Sequence, residues 1–218
     1  MYFNSSLLCL ASLSLLLNAA FHGRLFNNAT FEPILRCGSE IDTYKNYAYV
    51  GSAVFQSTRK CNTCIKVSSK GHSTIAHVIA EYRINKEFDI QLSESSLKEL
   101  EYQNEPVPVS YDFVTCPDIR GNVRFDWESQ SNEFFARFSV QNSIYGIDNV
   151  QLSKNGGDWN DLYRNPNNLW VVQQIAGPYD LKIEASSGET HIVKNVMPVA
   201  NEVPTDTHFQ FKKVQCFP

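Results

Sequence analysis

Cys61-Asn62-Thr63-Cys64 is the segment of this chain best suited to chemistry. Two cysteines with two residues between them can bind a metal, exchange electrons or enter disulfides, depending on the compartment. A zinc site needs four ligands, and no histidine stands nearby at ligand spacing. Arg36-Cys37-Gly38 upstream and Val114-Thr115-Cys116-Pro117 downstream offer one further thiol each. A small β-barrel stapled by disulfides, with no metal and no cofactor, would use cysteines in this way.

The amino terminus favours that reading. Residues 1–20 carry no charged side chain, and the apolar run 7–17 ends in Asn18-Ala19-Ala20. Such a run is too short to span a bilayer and suits the core of a signal peptide, so the chain is expected to be secreted. Cleavage leaves Cys37, Cys61, Cys64, Cys116 and Cys216, an odd number with Cys216 the outlier. The net charge of −4 is all carried after residue 20. With no long basic run, nucleic acid is excluded as a partner. A neutral polymer suits the charge better, and an aromatic content of 12% can fill a core and still furnish a binding face.

These residues must be positioned by strands. Runs at 73–79, 108–114, 134–140, 169–175, 181–185 and 190–193 are β-branched, aromatic or alternating. Ser69-Lys70-Gly71, Arg120-Gly121-Asn122, Asn155-Gly156-Gly157, Ala176-Gly177-Pro178 and Ser187-Gly188 supply turns between them. One clear helix follows Ser93, which can cap it. Glu94 stands in its first turn, and Leu97 and Leu100 share a face. A weaker helical turn is expected over 52–56. The cysteines and the helix precede Cys116-Pro117-Asp118, and the remainder reads as all-β. The expected organisation is a signal peptide over 1–20, a barrel domain over 21–118 and a β-sandwich over 119–218.

Short motifs then resemble one family along nearly the whole chain. Ala29-Thr30-Phe31 before Cys37-Gly38 resembles the opening of the expansins. Cys61-Asn62-Thr63-Cys64-Ile65-Lys66-Val67 resembles their C-G-x-C-(Y/F)-x-V, with Asn62 in place of glycine. Asparagine is the next residue best able to hold a left-handed backbone. Val78-Ile79-Ala80-Glu81-Tyr82 resembles V-x-V-T-D, and Leu92-Ser93 with Leu97 resembles D-L-S-x-x-A-F. Val114-Thr115-Cys116-Pro117 with Gly121-Asn122 resembles the junction V-x-C-P-x-x-G-N. Phe134-Phe135 with Val140-Gln141-Asn142, and Trp159 with Leu162-Tyr163-Arg164-Asn165 and Trp170, resemble pieces of the second half.

The resemblance implies an all-β, two-domain fold: a six-stranded double-psi β-barrel followed by an immunoglobulin-like β-sandwich that binds cellulose. It implies the pairings Cys37–Cys61 and Cys64–Cys116. It also implies an open polar groove on the barrel. Thr30 matches the groove threonine, Glu81 the first acid, and Tyr82 is the candidate aromatic wall. The second acid falls on Gln91 without a gap, or on Asp89 with a small insertion. Glycoside hydrolysis needs an acid and a base or nucleophile at a set separation. Gln91 cannot act as a base, and the family is non-hydrolytic, so no catalytic residue is assigned. The sequon Asn28-Ala29-Thr30 falls on an expected barrel strand, where low glycan occupancy is expected.

Adhesion is expected from the second domain. Phe134 and Phe135 stand at the family's paired aromatics, and only one of them can join a flat platform if both lie in a strand. Trp127, Tyr163 and Trp170 are further candidates, Trp159 is expected in the core, and Pro166 replaces a family tryptophan. The function implied is a secreted, monomeric, cell-wall protein that binds insoluble β-glucan and loosens it without cutting. A structural protein that kept the fold and lost the groove, and a glycoside hydrolase on the same barrel, are the two rival readings.

Overall fold

The computed structural model describes residues 20–26, 37, 44–56, 59–82, 88–103, 106–132, 134–173, 176–198 and 205–213. The export segment, the Asn28 sequon, Thr30 and Cys216 lie outside the described residues. No helix among these residues is long and apolar enough to cross a membrane.

Six strands close the first barrel: β1 (Phe21–Phe26), β2 (Tyr47–Gly51), β3 (Cys64–Ser69), β4 (His72–Tyr82), β5 (Ile90–Leu92) and β6 (Val107–Val114). Their order around the wall is β1-β5-β2-β4-β3-β6. The pairs β1·β5 and β2·β4 are parallel, and the other neighbours run antiparallel. This is the double-psi arrangement expected from the sequence. Closure leaves no unpaired edge. Leu25, Val50, Ile65, Val67, Val78, Ile90 and Tyr111 fill the interior.

Local chemistry sets the connections. Lys70-Gly71 forms a two-residue loop between Ser69 and His72, which pair with each other. Both loop residues hold positive φ (47° and 88°), as a type I′ hairpin turn requires. Helix α1 (Ser52–Phe55) stops at Gln56, which turns left-handed. Helix α2 (Glu94–Glu99) begins at Ser93, whose hydroxyl accepts from the Ser96 amide. That bond satisfies one of the amides a helix start leaves unpaired.

The remaining strands make two sheets: β10-β9-β13-β14 and β11-β12-β8-β7-β15. The first comprises β9 (Ile147–Ser153), β10 (Asn160–Asp161), β13 (Tyr179–Ala185) and β14 (Thr190–Val196). The second comprises β7 (Arg124–Trp127), β8 (Phe135–Gln141), β11 (Tyr163–Arg164), β12 (Trp170–Gln173) and β15 (Thr205–Asp206). One core joins them: Phe125, Trp127, Phe138 and Trp170 from one sheet meet Val150, Leu152, Leu181 and Ile183 from the other. Along β13 every second residue is buried, as an inward face requires.

Two disulfides tie the barrel, Cys37–Cys61 and Cys64–Cys116, as the resemblance implied. In the chain-entropy picture each stabilises the fold by about 3–4 kcal/mol. Asn62 between them holds φ at 59°, the left-handed backbone that its position demands. Its side chain also does what glycine could not. The amide Nδ2 donates to Gln141 Oε1 at 3.1 Å, joining barrel to sandwich. Gln141 and Asn168 both donate to the Cys37 carbonyl, and the Cys116 amide donates to the Ile144 carbonyl. Gly146 packs against Thr63, where a Cβ would lie 2.5 Å from the threonine methyl.

Candidate functional site

Glu81 lies near the end of β4 in register with Val50 of β2, and Gln91 lies on β5 in register with Tyr49 of β2. They flank the same strand, with backbones roughly 10 Å apart. Asp89 immediately precedes β5. Glu81, Asp89 and Gln91 are only 6%, 2% and 8% exposed. They are built into the barrel wall, not spread along an open surface.

Asp89 shows why. Its Oδ1 accepts from the Arg24 amide at 3.1 Å, and its carbonyl accepts from the Gly51 amide. It thereby links β1, β5 and β2. Oδ2 has no hydrogen-bond partner among the described residues. Gly23 leaves room beside it, since a Cβ there would collide with the Phe88 carbonyl. Tyr111 donates to that carbonyl at 2.9 Å, and burial together with the Asp89 charge pushes its phenol well above the ordinary range. Tyr82 closes β4, in register with Gly51.

The aromatic residues divide by strand parity. On β12, Trp170 and Val172 point inward, and Val171 and Gln173 point outward. Trp170 is 3% exposed and packs in the sandwich core, so its ring is not part of a platform. The Arg164 guanidinium lies 4.2 Å from its centroid, and burial lowers that group to about 10. Trp127 is likewise in the core, with its indole N–H donated to Thr205. Trp159, expected in the core, is half-buried with the Lys182 ammonium 5.0 Å over its ring.

Three rings remain outside the core. Tyr163 is 65% exposed and Phe134 60%. Tyr163 pairs with Val171, which pairs with Arg137. Phe135, half-buried, starts β8 opposite Gln173. Paired residues share a face, so Tyr163, Val171, Arg137 and Phe135 all lie on the outside of one sheet. The Arg137 guanidinium lies 5.4 Å from the Phe135 centroid and pairs with Glu128. Phe134 precedes the strand, where Asn132 Oδ1 accepts both its amide and that of Phe135. It therefore escapes the strict alternation that would have sent it to the core.

A second cluster was not legible in the sequence. His77 is buried, its Nε2 lies 2.8 Å from Asp118 Oδ1, and Tyr44 stacks on its ring at 3.9 Å. Burial lowers its pKa, and Asp118 opposes this only in part. His77 and Asp118 border a cleft of about 520 Å³ that Lys45, Lys66, Thr74 and Glu99 also line. Glu99 accepts from Thr74 at 2.6 Å and from Asn46, and these bonds hold its carboxyl below the ordinary value. Glu81, Asp89 and Gln91 are not among the residues that line this cleft.

No protein-family model matches the chain. Among curated proteins it is 26% identical to Expansin-like protein 3 of Dictyostelium discoideum over 150 residues, covering 65% of this chain and 44% of that one. It is 25% identical to Expansin-like protein 5 of the same organism over 173 residues, covering 75% and 71%. Among solved structures it resembles an expansin from Clavibacter michiganensis with a TM-score of 0.75 and 22% identity, covering 90% of this chain and all of that one.

The chain is similar in sequence to expansin-like proteins and in fold to a bacterial expansin.

A mutant of the Clavibacter expansin, solved in complex with cellohexaose, superposes equally well, with a TM-score of 0.75. The chain itself has a closed barrel, two disulfides and two packed sheets.

Proposed function

We propose that this expansin-like protein is secreted, binds insoluble β-glucan and loosens it without hydrolysis. The reading divides the chain into a signal peptide over 1–20, a barrel over 21–118 and a carbohydrate-binding sandwich over 119–218. The carrying observation is the outward face of β11, β12 and β8, where Tyr163 and Phe135 stand with Phe134 at the edge. Exposed rings on a flat sheet can stack on the apolar faces of pyranose units, gaining roughly 25 cal/mol per Å² covered. The cellohexaose held by the related expansin supports a cellulose-like ligand. Gln91 at the ungapped position of the second acid supports binding over cutting, since an amide cannot act as a base, and Asp89, the other candidate, is engaged with the Arg24 amide in the barrel wall. Binding that rests on ring stacking resists salt.

A panel of insoluble polysaccharides, run with a reducing-sugar assay, tests this reading. The expected result is retention on a β-glucan with no reducing ends released. Reducing sugar formed in proportion to protein would reject it in favour of a glycosidase. The burial of Glu81, Asp89 and Gln91 favours a second reading, a wall protein that kept the fold and lost the groove. That reading predicts retention on glucan with no change in wall extensibility.

A further inference from the structure

The buried environment of the Cys64–Cys116 disulfide contains a third ligand-bearing side chain. Cys64 pairs in register with His77 across the β3–β4 hairpin. His77 Nδ1 lies 3.5 Å from Cys64 Sγ and 3.8 Å from Cys116 Sγ. All three side chains are buried, and their ligand atoms lie within 4.8 Å of one another. The far nitrogen, Nε2, faces the Asp118 carboxylate. A carboxylate only accepts, so Nε2 carries the proton and Nδ1 turns its lone pair towards the sulfurs. Tyr44, stacked at 12° to the imidazole, fixes the ring plane.

We propose that the reduced chain holds a zinc ion between Cys64, Cys116 and His77, and that disulfide closure abolishes the site. Tetrahedral zinc sites have Zn–S of about 2.3 Å and Zn–N of about 2.0–2.1 Å, which sets N···S edges near 3.5 Å and an S···S edge near 3.8 Å. The edge to Cys64, at 3.5 Å, already has that length, and the edge to Cys116, at 3.8 Å, is slightly longer. Only the two sulfurs must part. A histidine ligand whose other nitrogen donates to a carboxylate is the usual outer arrangement of such sites. The fourth position is left for water.

The chemistry balances. A dithiol reductant gives two electrons and two protons to the S–S bond, leaves as its own disulfide, and frees two thiols. Zinc then binds two thiolates and the neutral imidazole, releasing two protons. Metal and disulfide exclude each other, so the site belongs to the chain before oxidation. Cys61 is not part of the ligand cluster, which comprises Cys64, His77 and Cys116.

The test uses the full chain with Cys9→Ser, Cys37→Ser, Cys61→Ser and Cys216→Ser, so that Cys64 and Cys116 are the remaining thiols. It is reduced with a phosphine, which takes the oxygen of water as the disulfide opens, and titrated with Co²⁺ and then Zn²⁺. One equivalent of Co²⁺ should give tetrahedral ligand-field and thiolate charge-transfer bands that Zn²⁺ displaces. His77→Ala should weaken binding at least about tenfold and Asp118→Asn about tenfold. If reduction costs the chain its β-sheet circular dichroism, Zn²⁺ should restore it. No charge-transfer band, equal affinity in His77→Ala, equal binding without reduction, or lost structure that Zn²⁺ does not restore would each overturn the proposal.

Discussion

Under the proposed function, Phe135 and Tyr163 contribute to binding because they stand on the outer face of the sheet. Truncating either ring to alanine removes stacking area without opening the core. Each change should weaken retention on cellulose by roughly fivefold, about 1 kcal/mol, read from a depletion isotherm. Trp170 is the contrasting case. It fills the sandwich core beneath Arg164, so Trp170→Ala should cost about 3–5 kcal/mol of stability, read from a denaturant melt. Gln91 decides the chemistry of the barrel. Restoring a carboxylate there by Gln91→Asp places an acid beside a buried wall, and we expect no reducing-sugar release, because Glu81 stands one strand beyond it.

At the scale of elements, α2 depends on one hydroxyl. Ser93→Ala should cost about 1 kcal/mol, seen as a lowered midpoint in urea. The helix also delivers Glu99 to Thr74 and Asn46. These bonds depress the folded-state pKa of Glu99 below its unfolded value. Their stabilisation is therefore present above the unfolded-state pKa and lost as pH falls through the lowered folded-state one. Thr74→Val should flatten that part of the stability profile, and an unchanged profile would exclude the contact as its source. Elements differed in how far their sequence announced them. β6 and β13 alternate, and the hairpin glycines marked turns. β2 and β5 are buried along nearly their whole length, so they show no alternation to read. Trp127 and Trp170 were placed on the wrong face because composition shows a strand but not its phase. His77 escaped notice because the β3–β4 hairpin, not sequence spacing, brings it to Cys64.

At the scale of the whole molecule, polar side chains join the two parts at one seam. Asn62 reaches Gln141, and Gln141 and Asn168 reach the Cys37 carbonyl beside the first disulfide. Asn62→Gly keeps the left-handed backbone and deletes the amide, so it should leave the barrel intact and loosen the seam, shown by faster hydrogen exchange at the Cys116 amide, which donates to the Ile144 carbonyl. Under the proposed function, a shelf of rings on the sandwich grips a neutral glucan while the barrel does not cut it. The most direct measurement is a binding isotherm on crystalline cellulose in high salt, comparing the native chain with the Phe135→Ala/Tyr163→Ala double variant. Saturable, salt-resistant binding by the native chain and its loss in a folded double variant is the predicted result. Equal binding by both, or none by either, would contradict it.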